Sequence, residues 1–115
     1  MKNKIIIGST LLLLLSGCGG GPYKEFAQCL TDANVVMYGT DWCSHCADQK
    51  AMFGEDFDYI NYVNCDFNAD ECSAAGVYGY PTWTIDGELL GAGVQTFQTL
   101  GKAASCTVPT VVFGQ

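Results

Sequence analysis

The stretch Val35-Val36-Met37-Tyr38-Gly39-Thr40-Asp41-Trp42-Cys43-Ser44-His45-Cys46 reads as a buried strand that runs through a short loop into a helix. Val35 to Tyr38 is a continuous apolar run with β-branched members, short enough for a strand covered on both faces. Gly39 to Trp42 form the loop, and residues 44–53 read as a helix stopped by Gly54. Two cysteines with two residues between them then stand at a helix N-terminus. There the first thiol, Cys43, faces unpaired N–H groups and the positive end of the helix dipole. This placement favours thiolate and makes Cys43 the attacking and leaving sulfur. Cys46, one turn in, is expected to be more buried and to act as the resolving thiol. An imidazole at His45 beside the Cys43 sulfur adds to the stabilisation of thiolate. Stabilising thiolate favours the reduced form and poises the pair toward oxidising.

Outward from this centre the chain keeps alternating. Tyr23, Phe26, Ala27 and Leu30 behind Pro22 give a first helix over 22–31. Tyr59 to Val63 reads as a second strand. Asn68, with Glu71 three residues on, reads as a capped helix start, and Gly76 as its end. Thr82 to Ile85 is a third strand, and Asp86-Gly87 a hairpin turn into a fourth at Leu89-Leu90. Phe97, Leu100, Gly101 and Ala104 mark a last helix. The order α, β, α, β, α, β, β, α predicts an α/β fold, a mixed four-stranded sheet flanked by helices on both faces. Thr107 to Gln115 is a tail that reads equally as an added strand or as a frayed end.

The 115 residues allow one small domain, and 49% hydrophobic against 15% charged side chains excludes a disordered chain. Five basic against twelve acidic residues give a net charge of −7, which argues against nucleic-acid binding. The N-terminus reads as an address. Lys2 and Lys4 precede an apolar run from Ile5 to Leu15, followed by small Ser16 and Gly17. Without residues 1–17 the chain keeps three lysines against twelve acids, a net charge of −9.

Seven cysteines in so short a chain put sulfur chemistry at its centre. A zinc site is disfavoured, since there is no second pair at zinc spacing and His45 is the only histidine. A purely structural disulfide at Cys43 and Cys46, or a soft-metal site for Cu(I) on the same thiolates, are the alternatives. Cys29, Cys65, Cys72 and Cys106 allow three pairings. The favoured one joins Cys65 to Cys72, separated by a short span, and Cys29 to Cys106. Asp41, in the loop beside Trp42, reads as a solvated acid.

Three resemblances add to this reading. Leu15-Ser16-Gly17-Cys18 resembles the lipobox of bacterial lipoproteins. It implies a signal peptide at 1–17, lipidation at Cys18, a tether over 18–22 and a location on the extracytoplasmic face of a bacterial membrane, where disulfides persist. The motif Trp42-Cys43-Ser44-His45-Cys46, with Gly79-Tyr80-Pro81-Thr82-Trp83 and the element order, resembles the thioredoxin superfamily over residues 23–106. It implies a cis Pro81 lying against the Cys43–Cys46 disulfide. It also implies a substrate-binding role for Tyr80 and Pro81, with Trp42 beside them. The family's buried acid in the first core strand has no counterpart in Val36-Met37-Tyr38. The segment Phe26-Ala27-Gln28-Cys29-Leu30-Thr31, with Met37-Tyr38-Gly39 and the two motifs, is similar to the thioredoxin-like domain fused to bacterial vitamin K epoxide reductase homologues. That family has a cysteine pair in the Cys65–Cys72 region too. The resemblance implies a thiol-disulfide oxidoreductase, oxidising or of the reductase type. Its only redox group would be the Cys43–Cys46 disulfide, without cofactor or metal. The partners implied are reduced or misoxidised exported proteins and a quinone-linked membrane reoxidase.

Overall fold

The structure is a computed structural model that describes residues 19–111. The expected leader at 1–17, Cys18 and the tail residues 112–115 lie outside the described residues.

Four strands build the sheet. Strand β1 is Val35–Gly39, β2 Asn61–Asn64, β3 Thr82–Ile85 and β4 Glu88–Ala92. Their order across the sheet is β2-β1-β3-β4. β1 pairs parallel with β2 and antiparallel with β3, and β3 pairs antiparallel with β4. The helices are α1 Lys24–Asp32, α2 Ser44–Phe53, α3 Ala69–Ala74 and α4 Phe97–Ala104. Asp86 and Gly87 both take positive φ (50° and 82°), the backbone a tight hairpin between twisted strands requires.

The period-two alternation of β1 sorts its side chains to two cores. Val35 and Met37 join Phe26, Ala27, Leu30, Cys46, Phe53, Trp83, Phe97 and Leu100, so α1, α2 and α4 supply one layer. Tyr38 turns the other way, to Cys65 and Cys72, with Val36, Ala75 and Val77 packed alongside, so α3 covers the opposite face. The sheet is therefore mixed, with helices on both faces, in the thioredoxin-like arrangement that the element order predicts.

Two disulfides close the frame. Cys29 in α1 is bonded to Cys106 beyond α4, with Cα atoms 6.0 Å apart across a sequence separation of 77. Gly101 makes this crossing feasible. A Cβ there would stand 2.6 Å from the Cys106 carbonyl oxygen, so only glycine lets the chain pass so close to α4. Cys65 and Cys72 are bonded with Cα atoms 5.8 Å apart.

The structure departs from the sequence expectations in two places and decides a third that they left open. Residues Gly54–Tyr59 wind as a 3-10 helix, so β2 starts at Asn61 rather than Tyr59. Asp56 explains the winding's value. Its fully buried carboxylate accepts hydrogen bonds from Gly21 N at 2.5 Å and Tyr23 N at 2.8 Å, satisfying N–H groups ahead of α1 that have no helical partner. Asn68 precedes α3 without a side-chain cap; its amide instead donates to the Asn64 carbonyl at 2.9 Å, closing the end of β2. The described part of the tail, 107–111, forms neither strand nor helix, and Val108 packs against the larger core.

Candidate active site

Cys43 is the N-cap of α2, in extended conformation, and its Sγ accepts the Cys46 backbone N–H at 3.1 Å. This is a capping contact normally made by an oxygen. It directs one of the orphan N–H groups of the helix start onto sulfur. Cys43 is 9% exposed and Cys46 is sealed at 0%. Both thiols are free in this structure.

The two sulfurs differ in surroundings. Burial pushes the Cys46 thiol up to about 11, helped by its hydrogen bond with Cys43 and opposed by a backbone hydrogen bond from Thr40 and by the charge of Lys50. Cys46 is thus a protonated thiol at neutral pH and cannot be reached from solvent. Cys43 is the less buried of the two. Gly39 creates the space for Cys46, since a Cβ on it would stand 2.8 Å from Cys46 Sγ and 3.3 Å from Tyr62 Cε1.

Around this pair lies an ordered aromatic rim. Trp42 is 70% exposed, yet its ring is held on two sides. Its Nε1 donates to Asp66 Oδ1 at 3.2 Å, and it meets the Tyr80 ring edge-on with centroids 5.8 Å apart. The Tyr80–Pro81 peptide bond is cis, and Pro81 is fully buried. The Pro81 carbonyl accepts from Gly93 N at 2.7 Å, which ties this loop to the segment after β4. His45 lies on the exposed side of α2 and makes no hydrogen bond or ion pair among the described residues. Asp41 is exposed, 3.9 Å from Lys50 Nζ.

Four residues of the site region escape a sequence reading. Gln49 is fully buried under α2. Its Oε1 accepts from Trp83 Nε1 at 3.0 Å and from Gln95 N at 2.7 Å, while its Nε2 donates to the Gln95 carbonyl at 3.0 Å. Lys50 places its Nζ 4.1 Å from the Tyr62 ring centroid. Among the described residues the Tyr62 hydroxyl is buried without a hydrogen-bond partner, and burial together with the Asp41 charge pushes it up to about 12. Asp66 holds Trp42. The helical spacing of Cys46, Gln49, Lys50 and Phe53 carried a signal for the first two; nothing local marked Tyr62 or Asp66.

The arrangement offers a largely buried sulfur at the helix start, a second sulfur sealed one turn away, and an aromatic pair that begins at the residue before the first. Chemically this is a dithiol able to close to a disulfide. No protein-family model matches the chain. Over 84 residues, 64% of the chain, it is 36% identical to a protein of Arabidopsis thaliana described as Thiol-disulfide oxidoreductase LTO1. The match spans 22% of that relative's length, so the likeness concerns about a fifth of the plant protein.

Proposed function

We propose that this chain is a thiol-disulfide oxidoreductase acting through Cys43 and Cys46. The observation that carries the reading is the Cys43 sulfur at the start of α2, accepting the Cys46 N–H, with Cys46 sealed directly beneath it. In the reductive half-reaction, the Cys43 sulfur attacks a substrate disulfide, forms a mixed disulfide and releases one substrate thiol. Cys46 then attacks Cys43, closing the internal disulfide and releasing the second. Oxidation of a substrate dithiol runs the same steps backwards. Trp42, next to Cys43 in the chain, packs edge-on against Tyr80 of the cis Tyr80–Pro81 segment, and the three form the substrate-binding rim in this reading.

The direction we favour is oxidation. A helix N-terminus favours negative charge on the first sulfur and so stabilises the reduced state. His45, next in sequence but one, adds positive charge whenever it is protonated. The substrates are reduced or misoxidised exported proteins, and a membrane-bound quinone-linked enzyme regenerates the disulfide. A diacylated Cys18 would hold the domain at the bilayer. The Asp56 contacts to Gly21 and Tyr23 support a short reach, because they leave only Gly19 and Gly20 between Cys18 and anchored backbone.

Equilibration with a glutathione buffer tests the direction. The expected potential lies above the roughly −270 mV of thioredoxin; a value at or below it makes the chain a reductase. The exchange itself is tested with Cys43→Ser, expected to abolish oxidation of a reduced protein, and with Cys46→Ala, expected to accumulate mixed disulfides. Full activity in Cys43→Ser sinks the reading. Cys18→Ala is expected to move the protein from the membrane to the soluble fraction of its host.

A further inference from the structure

Cys46 must lose its proton to resolve a mixed disulfide, yet it is sealed and held protonated at neutral pH. The first core strand, Val35–Gly39, supplies no carboxylate to help. The positive charge that acts on Cys46 comes from α2 itself. Cys46 and Lys50 are four residues apart in one helix, which stacks them on the same face, about 5–6 Å apart at their Cβ atoms. Lys50 is held there from three sides. Its Nζ lies 4.1 Å from the centroid of Tyr62, 5.7 Å from that of Phe57 and 3.9 Å from Asp41 Oδ1. The Tyr62 ring in turn borders Cys46, since both crowd the same missing Cβ at Gly39. Tyr62 stays a neutral phenol to about 12, so it presents an electron-rich face to the ammonium rather than a base to the thiol.

We propose that Lys50, seated on the Tyr62 ring one turn from Cys46, supplies the positive charge that stabilises the Cys46 thiolate when it attacks the mixed disulfide at Cys43. This rests on the reading that Cys43 and Cys46 exchange disulfides. In the step, Cys46 gives up its proton and its sulfur bonds to Cys43 Sγ. The bond between Cys43 and the substrate sulfur breaks, and the departing sulfur takes the electron pair and, net, the proton that Cys46 gives up. The balance needs no further oxidant. The groups acting on Cys46 are Cys43 at the N-cap of α2, the Thr40 backbone and Lys50 from α2; Tyr62 from β2 borders it, and Asp41 and Asp66 act on Tyr62. Asp41 tempers Lys50: it is the only ion pair this lysine makes among the described residues.

The test mixes the reduced protein with the chromogenic disulfide dithionitrobenzoate and follows the release of two thionitrobenzoate ions across pH. The first phase reports attack by Cys43 and the second reports resolution by Cys46. Lys50→Met is expected to move the pH profile of the second phase about one unit alkaline and slow it roughly tenfold at neutral pH. Lys50→Arg is expected to restore most of it. Asp41→Asn is expected to move the profile the other way. A merely structural lysine would leave the second-phase profile in place, and that result overturns the proposal, as would equal shifts for Met and Arg. A native protein that shows no second phase overturns the exchange reading itself, and this inference with it.

Discussion

At the residue scale the site depends on polar groups sealed in an apolar core. Gln49 is the clearest case. Its amide satisfies the Trp83 indole N–H and both backbone groups of Gln95, and so locks α2 to β3 and to the approach of α4. Gln49→Leu keeps the volume but orphans the Trp83 and Gln95 donors. Buried unpaired donors cost about 1–3 kcal/mol each, so the expected loss is roughly 2–4 kcal/mol, measured by urea unfolding. Cys46 makes a second residue-scale prediction. Its thiol rises from 9.0 to about 11 on folding, so the folded reduced protein holds a proton that the unfolded chain loses in that window. The stabilisation is whole below pH 9 and disappears as pH climbs toward 11. With Cys43 and Cys46 joined, the thiol cannot titrate and this loss is absent. Unfolding of the reduced and oxidised forms at a series of alkaline pH values should therefore diverge in that window, and parallel curves would contradict the burial of Cys46.

At the scale of elements, helix ends carry the design. α2 is capped by a sulfur and α4 by Thr96 Oγ1, which accepts from Thr99 N at 3.0 Å. α1 is capped from a distance by Asp56. Replacing Asp56 with Ala leaves the half-buried Gly21 and Tyr23 N–H groups without their acceptor. The expected destabilisation is about 1–2 kcal/mol, the size of a lost cap, accompanied by faster amide exchange at those two positions. Unchanged exchange there would mean that the 3-10 helix does not hold the start of the domain. The same element explains why β2 begins late: Phe57 and Tyr59 have strand-like character in the sequence, but their backbone turns to place Asp56 under α1.

At the scale of the whole molecule the two disulfides do unequal jobs. In a loop-entropy account the Cys29–Cys106 link, spanning 77 positions, is worth roughly 4–5 kcal/mol, and the Cys65–Cys72 link roughly 2. Paired substitution of Cys29 and Cys106 by Ala should therefore lower stability more than paired substitution of Cys65 and Cys72, as read by thermal unfolding. The smaller link has another consequence. It neighbours Asp66, which holds Trp42, so its loss should disturb the rim of the site more than its entropy suggests, readable in Trp42 fluorescence.

Everything with a short period was legible from the residues alone. The alternation in β1, the helical spacing behind Pro22, the Asp86-Gly87 turn and the two cysteines at a helix start are local patterns. Backbone geometry converts each directly into an element or a paired sulfur. The tertiary structure alone decided which partners those elements acquired. Asp56 meets Gly21 across 35 positions, Gln49 meets Gln95 across 46, and Trp42 meets Asp66 across 24. None of these follows from composition or spacing, because a polar group accepts any donor that packing brings within reach. Only the parallel pairing of β2 with β1 set the Tyr62 ring under Lys50, next to the sulfur that lysine is proposed to serve.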